Sequence, residues 1–411
     1  MNAADTRTRV NQPAQTDISA NAVAITGLVA MAQGVSLGRF VFTPMLPTML
    51  NDGSVTLVQG GALATANYVG YLVGALLCLC IRADPARMMR GALVFAALLT
   101  LAMALPGNTI VWGAWRALGG ICCAFVMVYG TAWSQQWLAR LGRPKLAGMM
   151  FCGPGIGIVL TSLPASSMTA SHWPARWGWV FFSILGALMM LPVWRFLRPP
   201  PKLASLDVGS SQATSVHPVR RKFTPETWAL TIVFGLAGFG YIVIATFLPV
   251  IAHHAMPGSL WVDFFWPVFG VGVTVGAWLV TRVGMHHDNR RMLMIPYVIQ
   301  AIGVGTVTIW PTVIGFLSCS VLVGTPFLAI TSIAMREARR LSGVSATRSI
   351  GLMTASYATG QIAGPLLATA LIARTNGFGA SLGIAAAALL VGATGCFVML
   401  HVLPSRDRFT P

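Results

Sequence analysis

Two arginines stand inside long apolar runs, Arg39 in GVSLGRFVFTPMLPTM and Arg116 in WGAWRALGG. A guanidinium at membrane depth costs about 3 kcal/mol or more unless it faces a protein interior or a water-filled cavity. It grips carboxylate or phosphate through paired hydrogen bonds, so a cavity holding two of them would draw an anion. Acids are placed elsewhere: Asp52 and Asp263 fall near the outer ends of apolar runs, and Asp84, Glu226 and Asp288 near inner ends. With no carboxylate read well inside a run, the pattern favours a small anionic or zwitterionic ligand over a cationic drug. His253, His254 and the rim aspartates remain as groups that could titrate with a coupled proton. The structural alternative for each arginine is a bond to backbone carbonyls or a head that snorkels to the interface. For the two histidines it is capping of the outer end of their run.

Uncharged polar residues recur in the same runs: Asn67, Tyr68 and Tyr71, then Tyr241 and Thr246, then Thr354, Tyr357 and Gln361. Asn67 with Tyr71, and Tyr357 with Gln361, are spaced to share a helix face. The expected substrate-binding set is Arg39, Arg116, Asn67, Tyr71, Tyr241, Tyr357 and Gln361. The competing reading is interhelical hydrogen bonding, typically below about 1 kcal/mol per pair in membranes. All 7 cysteines sit in apolar runs without a CxxC pair, as small packing residues do. No phosphate loop, metal-ligand cluster or nucleophilic triad is legible, so no enzyme, cofactor or metal is expected.

Such residues need a membrane-spanning scaffold, and the composition supplies one. Of 411 residues 55% are hydrophobic and 9% charged, with a mean hydropathy of +0.73. Soluble domains carry roughly a quarter charged residues, and disorder needs low hydrophobicity. A crossing takes about 20 apolar residues. Twelve such runs are present, at 22–50, 58–81, 88–106, 109–137, 146–165, 177–197, 227–252, 262–283, 291–310, 312–335, 348–373 and 380–403. The fold class expected is therefore all-α integral membrane.

The formal charge of +17, from 27 Lys and Arg against 10 Asp and Glu, would suit nucleic acid in a soluble protein. Sorting the cations by segment removes that reading. Twenty-three lie on one side of the spans, Arg176 and Arg374 lie in loops on the other, and Arg39 and Arg116 lie within spans. Basic loops mark the cytoplasmic side. Both termini are thus expected in the cytoplasm, the protein in the cytoplasmic (inner) membrane, and its partners are the lipid bilayer and a small-molecule substrate, not nucleic acid. A monomer is expected.

Residues 198–226 form the one long hydrophilic connection. They give a division into a tail at 1–21, a six-helix bundle at 22–197, a linker at 198–226, a second bundle at 227–403 and a tail at 404–411. The bundles look duplicated. Gly38 and Leu46-Pro47 recur as Gly240 and Leu248-Pro249, and Gly148, Met150 and Gly157 recur as Gly351, Met353 and Gly360. Tyr241 occupies the place of Arg39 in this repeat. Parallel repeats place a midplane site between halves that rock against each other.

The strings GVSLGRFVFTPMLPTM, ANYVGYLVGAL, GFGYIVIATFLPVIA, FWPVFG and LMTASYATGQIAGPLLA carry a resemblance to the major facilitator superfamily over the full length. The closest likeness is to its YbfB/YjiJ-like group. The resemblance implies twelve transmembrane helices in two pseudo-symmetric six-helix bundles. It also implies a central cavity lined by spans 1, 4, 7 and 10, which would join Arg39 and Arg116 in one site. Arg116 and Gly120 resemble the superfamily's span 4 motif. The loop motif after span 2 is partial, keeping Asp84, Arg87 and Arg90, and so is its counterpart with Asp288, Arg290 and Arg291; these six are the expected cytoplasmic gate. GxxxG pairs at Gly70/Gly74, Gly153/Gly157, Gly272/Gly276 and Gly360/Gly364 signal close helix approach. In the resembled fold spans 2 and 11, and 5 and 8, meet across the halves, where these glycines would let them slide; packing alone is the other reading.

The leading expectation is a secondary active transporter moving a small anionic or zwitterionic metabolite by alternating access. An efflux pump for amphipathic compounds keeps the same fold, and a membrane sensor without transport is the remote third reading.

Overall fold

A computed structural model describes residues 18–81, 83–199, 223–282, 288–342 and 346–402. The expected tails at 1–21 and 404–411 and the linker at 198–226 lie wholly or largely outside the described residues. Twelve membrane-length helices follow in order: α1 Ala20–Asn51, α2 Leu57–Cys80, α3 Pro85–Ala102, α4 Thr109–Arg140, α5 Pro144–Ala170 and α6 Ala175–Trp194. The second set is α7 Pro225–Ala255, α8 Leu260–Arg282 and α9 Asn289–Ile309, then α10 Val313–Ser342, α11 Ala346–Thr375 and α12 Gly379–His401. No strand occurs among the described residues.

Eleven of the twelve are both long and apolar enough to cross a membrane. The exception, α11, is diluted by Thr354, Ser356, Tyr357, Thr359 and Gln361, which is what a helix facing a polar interior requires. Elsewhere the apolar excess points outward: Phe95, Leu98, Ile184, Leu188, Val275, Ile302 and Phe397 are all exposed, the surface that lipid covers.

Short polar residues start the helices. The Thr56 hydroxyl accepts the Gln59 N–H while the Gln59 side chain accepts the Thr56 N–H, a reciprocal capping box. Asp84, Asn108, Thr224 and Asp288 cap α3, α4, α7 and α9, with proline next in sequence after Asp84 and Thr224, where its missing N–H costs nothing.

Helices α1–α6 pack into one bundle and α7–α12 into another, with matching internal pairings: α2 on α4 as α8 on α10, α1 on α5 as α7 on α11, and α3 on α6 as α9 on α12. The bundles meet mainly through α2 with α11, α5 with α8, and α1 with α7. For orientation, the near end is where α1 begins and α12 finishes; the far end is opposite.

The eight GxxxG glycines work within the bundles, not between them. A Cβ at Gly70 would lie 1.8 Å from the Ala117 carbonyl oxygen on α4, and one at Gly276 would lie 1.8 Å from that of Thr325 on α10. Gly74 faces Ile121 of α4 and Gly272 faces Thr325. Gly153 and Gly157 press on α1 at Leu28 and Ala32, while Gly360 and Gly364 press on α7 at Gly235 and Ile242. Close approach between the bundles uses other residues, Gly155 of α5 against the Gly270 carbonyl of α8 and Gly61 of α2 against Thr369 of α11. Hydropathy gives each helix its length but not which flank meets which neighbour.

Candidate functional site

The site begins with a defect in α1. Residues Ser36–Phe40 form a π-turn, closed by the Val41 N–H to the Ser36 carbonyl at 2.7 Å. Single π-turns that interrupt α-helices are frequent at functional positions. Here the turn carries Arg39 into the seam between bundles, only 6% exposed. Its guanidinium lies over three rings, Tyr68 at 4.7 Å, Phe40 at 5.2 Å and Tyr71 at 5.4 Å. Cation–π contacts of this kind contribute about 0.5–2 kcal/mol each, offsetting part of the desolvation without neutralising the charge.

Across the seam, Arg39 Nη2 donates to the Tyr241 hydroxyl at 2.9 Å. Gln361 Nε2 on α11 donates to the same oxygen at 2.5 Å. Tyr241 is held in place by Phe327 at 4.7 Å and by stacking on Tyr357 at 5.9 Å, which in turn stacks on Phe234 at 4.5 Å. Arg39 and Tyr241 are repeat equivalents, 202 residues apart. So are Thr43 and Ala245, whose hydroxyl-to-carbonyl bond of 2.7 Å also crosses the seam. Equivalent residues touch because α1 and α7 pack along the pseudo-two-fold axis.

The second bond has a cause in sequence. Pro249 has no N–H, so the Ala245 carbonyl one turn earlier loses its helical partner, and the Thr43 hydroxyl supplies one. That signal was readable from LPV alone, though the donor was not. Toward the far end the seam continues through Tyr68 and Thr246, whose hydroxyls lie 2.8 Å apart, and through the Ser166 hydroxyl, which donates to the Asp263 carbonyl at 3.2 Å.

On the near-end side of this closure lies a central cavity of about 80 Å³. Arg39, Tyr71, Tyr357 and Gln361 line it, with Val35, Phe40, Cys123, Met127, Pro154, Phe234, Phe327, Leu328, Thr331 and Thr354. No acidic side chain contributes. Chemically, the wall offers one cation, two phenols, an amide, two threonine hydroxyls, a thiol and apolar or aromatic faces. Sequence reasoning did not pick out Phe40, Phe234 and Phe327, because buried phenylalanines look alike whether they face a cavity or a core.

The remaining expected residues are placed apart from this wall. Tyr241 sits behind it as the shared acceptor. Asn67, fully buried, donates through Nδ2 to the carbonyls of Gly38 and Arg116, both at 2.8 Å, and so ties α2 to α1 and α4. Arg116 does not join Arg39 in the central cavity, as the resemblance implied. Its Nη2 donates to the Arg39 carbonyl at 3.2 Å and its guanidinium lies 4.6 Å from the Phe42 ring centroid, on the opposite flank of α1.

At the near end the six gate residues divide between the bundles, three in each. Asp84 caps α3, and Arg90 reaches the Trp194 carbonyl of α6 at 3.2 Å; Arg87 and Arg291 are exposed. Arg290 joins Asp288 at 3.2 Å, Glu226 at 3.6 Å and the Met399 carbonyl at 2.7 Å. Burial raises the Asp288 carboxyl, but hydrogen bonds from the Arg290 side chain and backbone outweigh it and hold the group below the usual carboxylate range. Glu337 completes this cluster, 1% exposed, gripped by Arg340 at 2.6 and 2.8 Å and by Asn289 at 3.0 Å. It was overlooked because the apolar run stops at 335, whereas α10 continues to Ser342.

Residues 30–396 match the family described as "Uncharacterised MFS-type transporter YbfB". The chain is 28% identical over 151 residues to the cyanate transport protein CynX of Escherichia coli (strain K12), a match covering 37% of this chain and 36% of that protein. It is 23% identical over 361 residues to the 2-nitroimidazole transporter of the same organism, covering 81% of this chain and 86% of that protein. A crystallised mutant of the nucleoside transporter NupG has the same fold, with a TM-score of 0.70 at 14% identity over 92% of this chain and all of that one.

Proposed function

The chain belongs to this family of YbfB-like major facilitator transporters, and from that membership we propose that it moves a small anionic or zwitterionic metabolite across the cytoplasmic membrane by alternating access. The observation that carries the reading is Arg39, a buried guanidinium that lines the central cavity with no carboxylate on the wall. A cavity so charged attracts an anion and repels a cation, which counts against efflux of cationic drugs. The name of one relative, a cyanate transport protein, fits a small anion.

In this proposal Arg39, Tyr71, Tyr357 and Gln361 contact the substrate, Tyr241 positions Arg39 and Gln361, and Asn67 and Arg116 brace α1. The near end is cytoplasmic, on the strength of the twenty-three basic residues assigned to that side, with both termini there, the tails at 1–21 and 404–411 beyond the bundles, and the linker at 198–226 joining them. The protein works as a monomer. The seam is shut toward the far end by the Thr43–Ala245, Tyr68–Thr246 and Ser166–Asp263 bonds. His253 Nε2 and Asp263 Oδ1, 3.8 Å apart at the far end, are the groups for a coupled proton.

A thermal-shift screen of the purified protein against organic acids, amino acids and sugar phosphates identifies the ligand, because binding stabilises the folded state. Flux of that ligand into cells or vesicles then falls at least tenfold in Arg39→Gln and partly recovers in Arg39→Lys, at matched membrane expression. Undiminished flux in Arg39→Gln refutes the assignment.

A further inference from the structure

Arg116 of α4 and Trp179 of α6 line a second cavity, of about 10 Å³, bounded by Leu37 and Gly38 of α1 and by Leu99 and Thr100 of α3. It lies inside the N-terminal bundle, on the flank of α1 away from the central cavity. Arg116 is 5% exposed and Trp179 1% exposed. Arg116 Nε and Trp179 Nε1 are buried without a hydrogen-bond partner. Both groups can only donate. Thr100 has already given its hydroxyl proton to the Ala96 carbonyl at 2.8 Å, and no acidic side chain lines the space.

Two side chains with orphaned donors, one of them carrying a full positive charge, therefore line one space of about the volume a single water needs. The partners that Arg116 does have, the Arg39 carbonyl and the Phe42 ring, supply partial charge only, and Arg39 itself is a second buried cation next to them. A water could accept from both donors, yet it would leave the charge uncompensated and bring two protons of its own. A monoatomic anion satisfies both donors and the charge together.

We propose that this cavity is a halide site, occupied by chloride, held between Arg116 Nε and Trp179 Nε1. The anion is a resident counter-ion and not the transported substrate. It fixes Arg116, which in turn holds the Arg39 carbonyl at the π-turn, so it supports the geometry of α1 from behind.

The test uses the purified full-length protein without substrate, with potassium gluconate replaced by chloride or bromide at constant ionic strength, which removes general screening. Thermal stability rises saturably with either halide, and bromide quenches tryptophan emission over the same concentration range. Trp179→Phe keeps the aromatic wall but deletes one donor, and raises the half-saturating chloride concentration about tenfold. Arg116→Gln abolishes the response; should that variant fail to fold, Trp179→Phe carries the test alone. Equal stability of the native protein in gluconate and chloride overturns the site. So does a chloride response left unchanged by Trp179→Phe.

Discussion

Replacing Tyr241 with phenylalanine removes a single oxygen and leaves the ring, so its contacts with Phe327 at 4.7 Å and Tyr357 at 5.9 Å persist. That oxygen accepts from Arg39 Nη2 at 2.9 Å and from Gln361 Nε2 at 2.5 Å, and both donors are buried. A buried donor left unpaired costs about 1–3 kcal/mol in soluble proteins, whereas polar pairs between membrane helices average about 0.6 and reach about 1.7 kcal/mol. Two donors stranded together, one of them charged, give an expected loss of about 1–3 kcal/mol. The assay is reversible unfolding in detergent micelles of Tyr241→Phe, Gln361→Leu and the double variant. If the hydroxyl is the shared acceptor, Gln361→Leu costs about 0.5–1 kcal/mol less in the Tyr241→Phe background than in the native one, since the bond it breaks is already gone. Native stability in Tyr241→Phe, or additivity within about 0.3 kcal/mol, refutes the claim that one hydroxyl is the shared acceptor of Arg39 and Gln361.

Two further outcomes follow from packing and charge. Gly70→Ala and Gly276→Ala each drive a methyl to 1.8 Å from a backbone carbonyl oxygen, and are expected to destabilise by about 1–3 kcal/mol or more; Gly91→Ala and Gly305→Ala, which meet nothing within 4 Å, are neutral or slightly stabilising, as thermal unfolding of the four variants will show. Because the Asp288 carboxyl is held below its ordinary range, its contribution to stability is complete above about pH 4 and fades as pH falls through its folded value. Asp288→Asn should therefore lower stability at pH 6 and flatten the acid limb of the stability profile. Superimposable acid limbs would show that the cluster around Arg290 does not depend on that charge.

Much of the scaffold is legible from one chain because a bilayer imposes a simple rule, about 20 apolar residues per crossing with polar caps between. Twelve runs, the hydrophilic break after 198 and the repeat of Leu-Pro motifs are all visible in linear order. Arg39 stands out for the same reason, since a guanidinium in an apolar run must have a purpose. The run at 348–373 is legible too, although its polar residues lower its hydropathy below that of its neighbours while making it part of the cavity wall. Glu337 escaped notice because hydropathy marks where lipid contact ends, not where the helix does.

What the sequence by itself determined is which residues are out of place in lipid: Arg39, Arg116, Asn67, Tyr71, Tyr241, Tyr357 and Gln361. What only the tertiary structure decided is which of them share a space. Arg39 and Arg116 both lie in the far-end half of their helices, yet the π-turn and the packing of α1 send one guanidinium into the seam and the other to its far flank. The glycines divide in the same way, spaced for close approach in sequence but committed to partners within each bundle. Helix periodicity fixes a side chain's angle around its own axis and leaves the neighbour on that side open. Only the packed arrangement, with α1 and α7 along the pseudo-two-fold axis, brings Arg39 to its repeat equivalent Tyr241 and makes a site of two residues 202 positions apart.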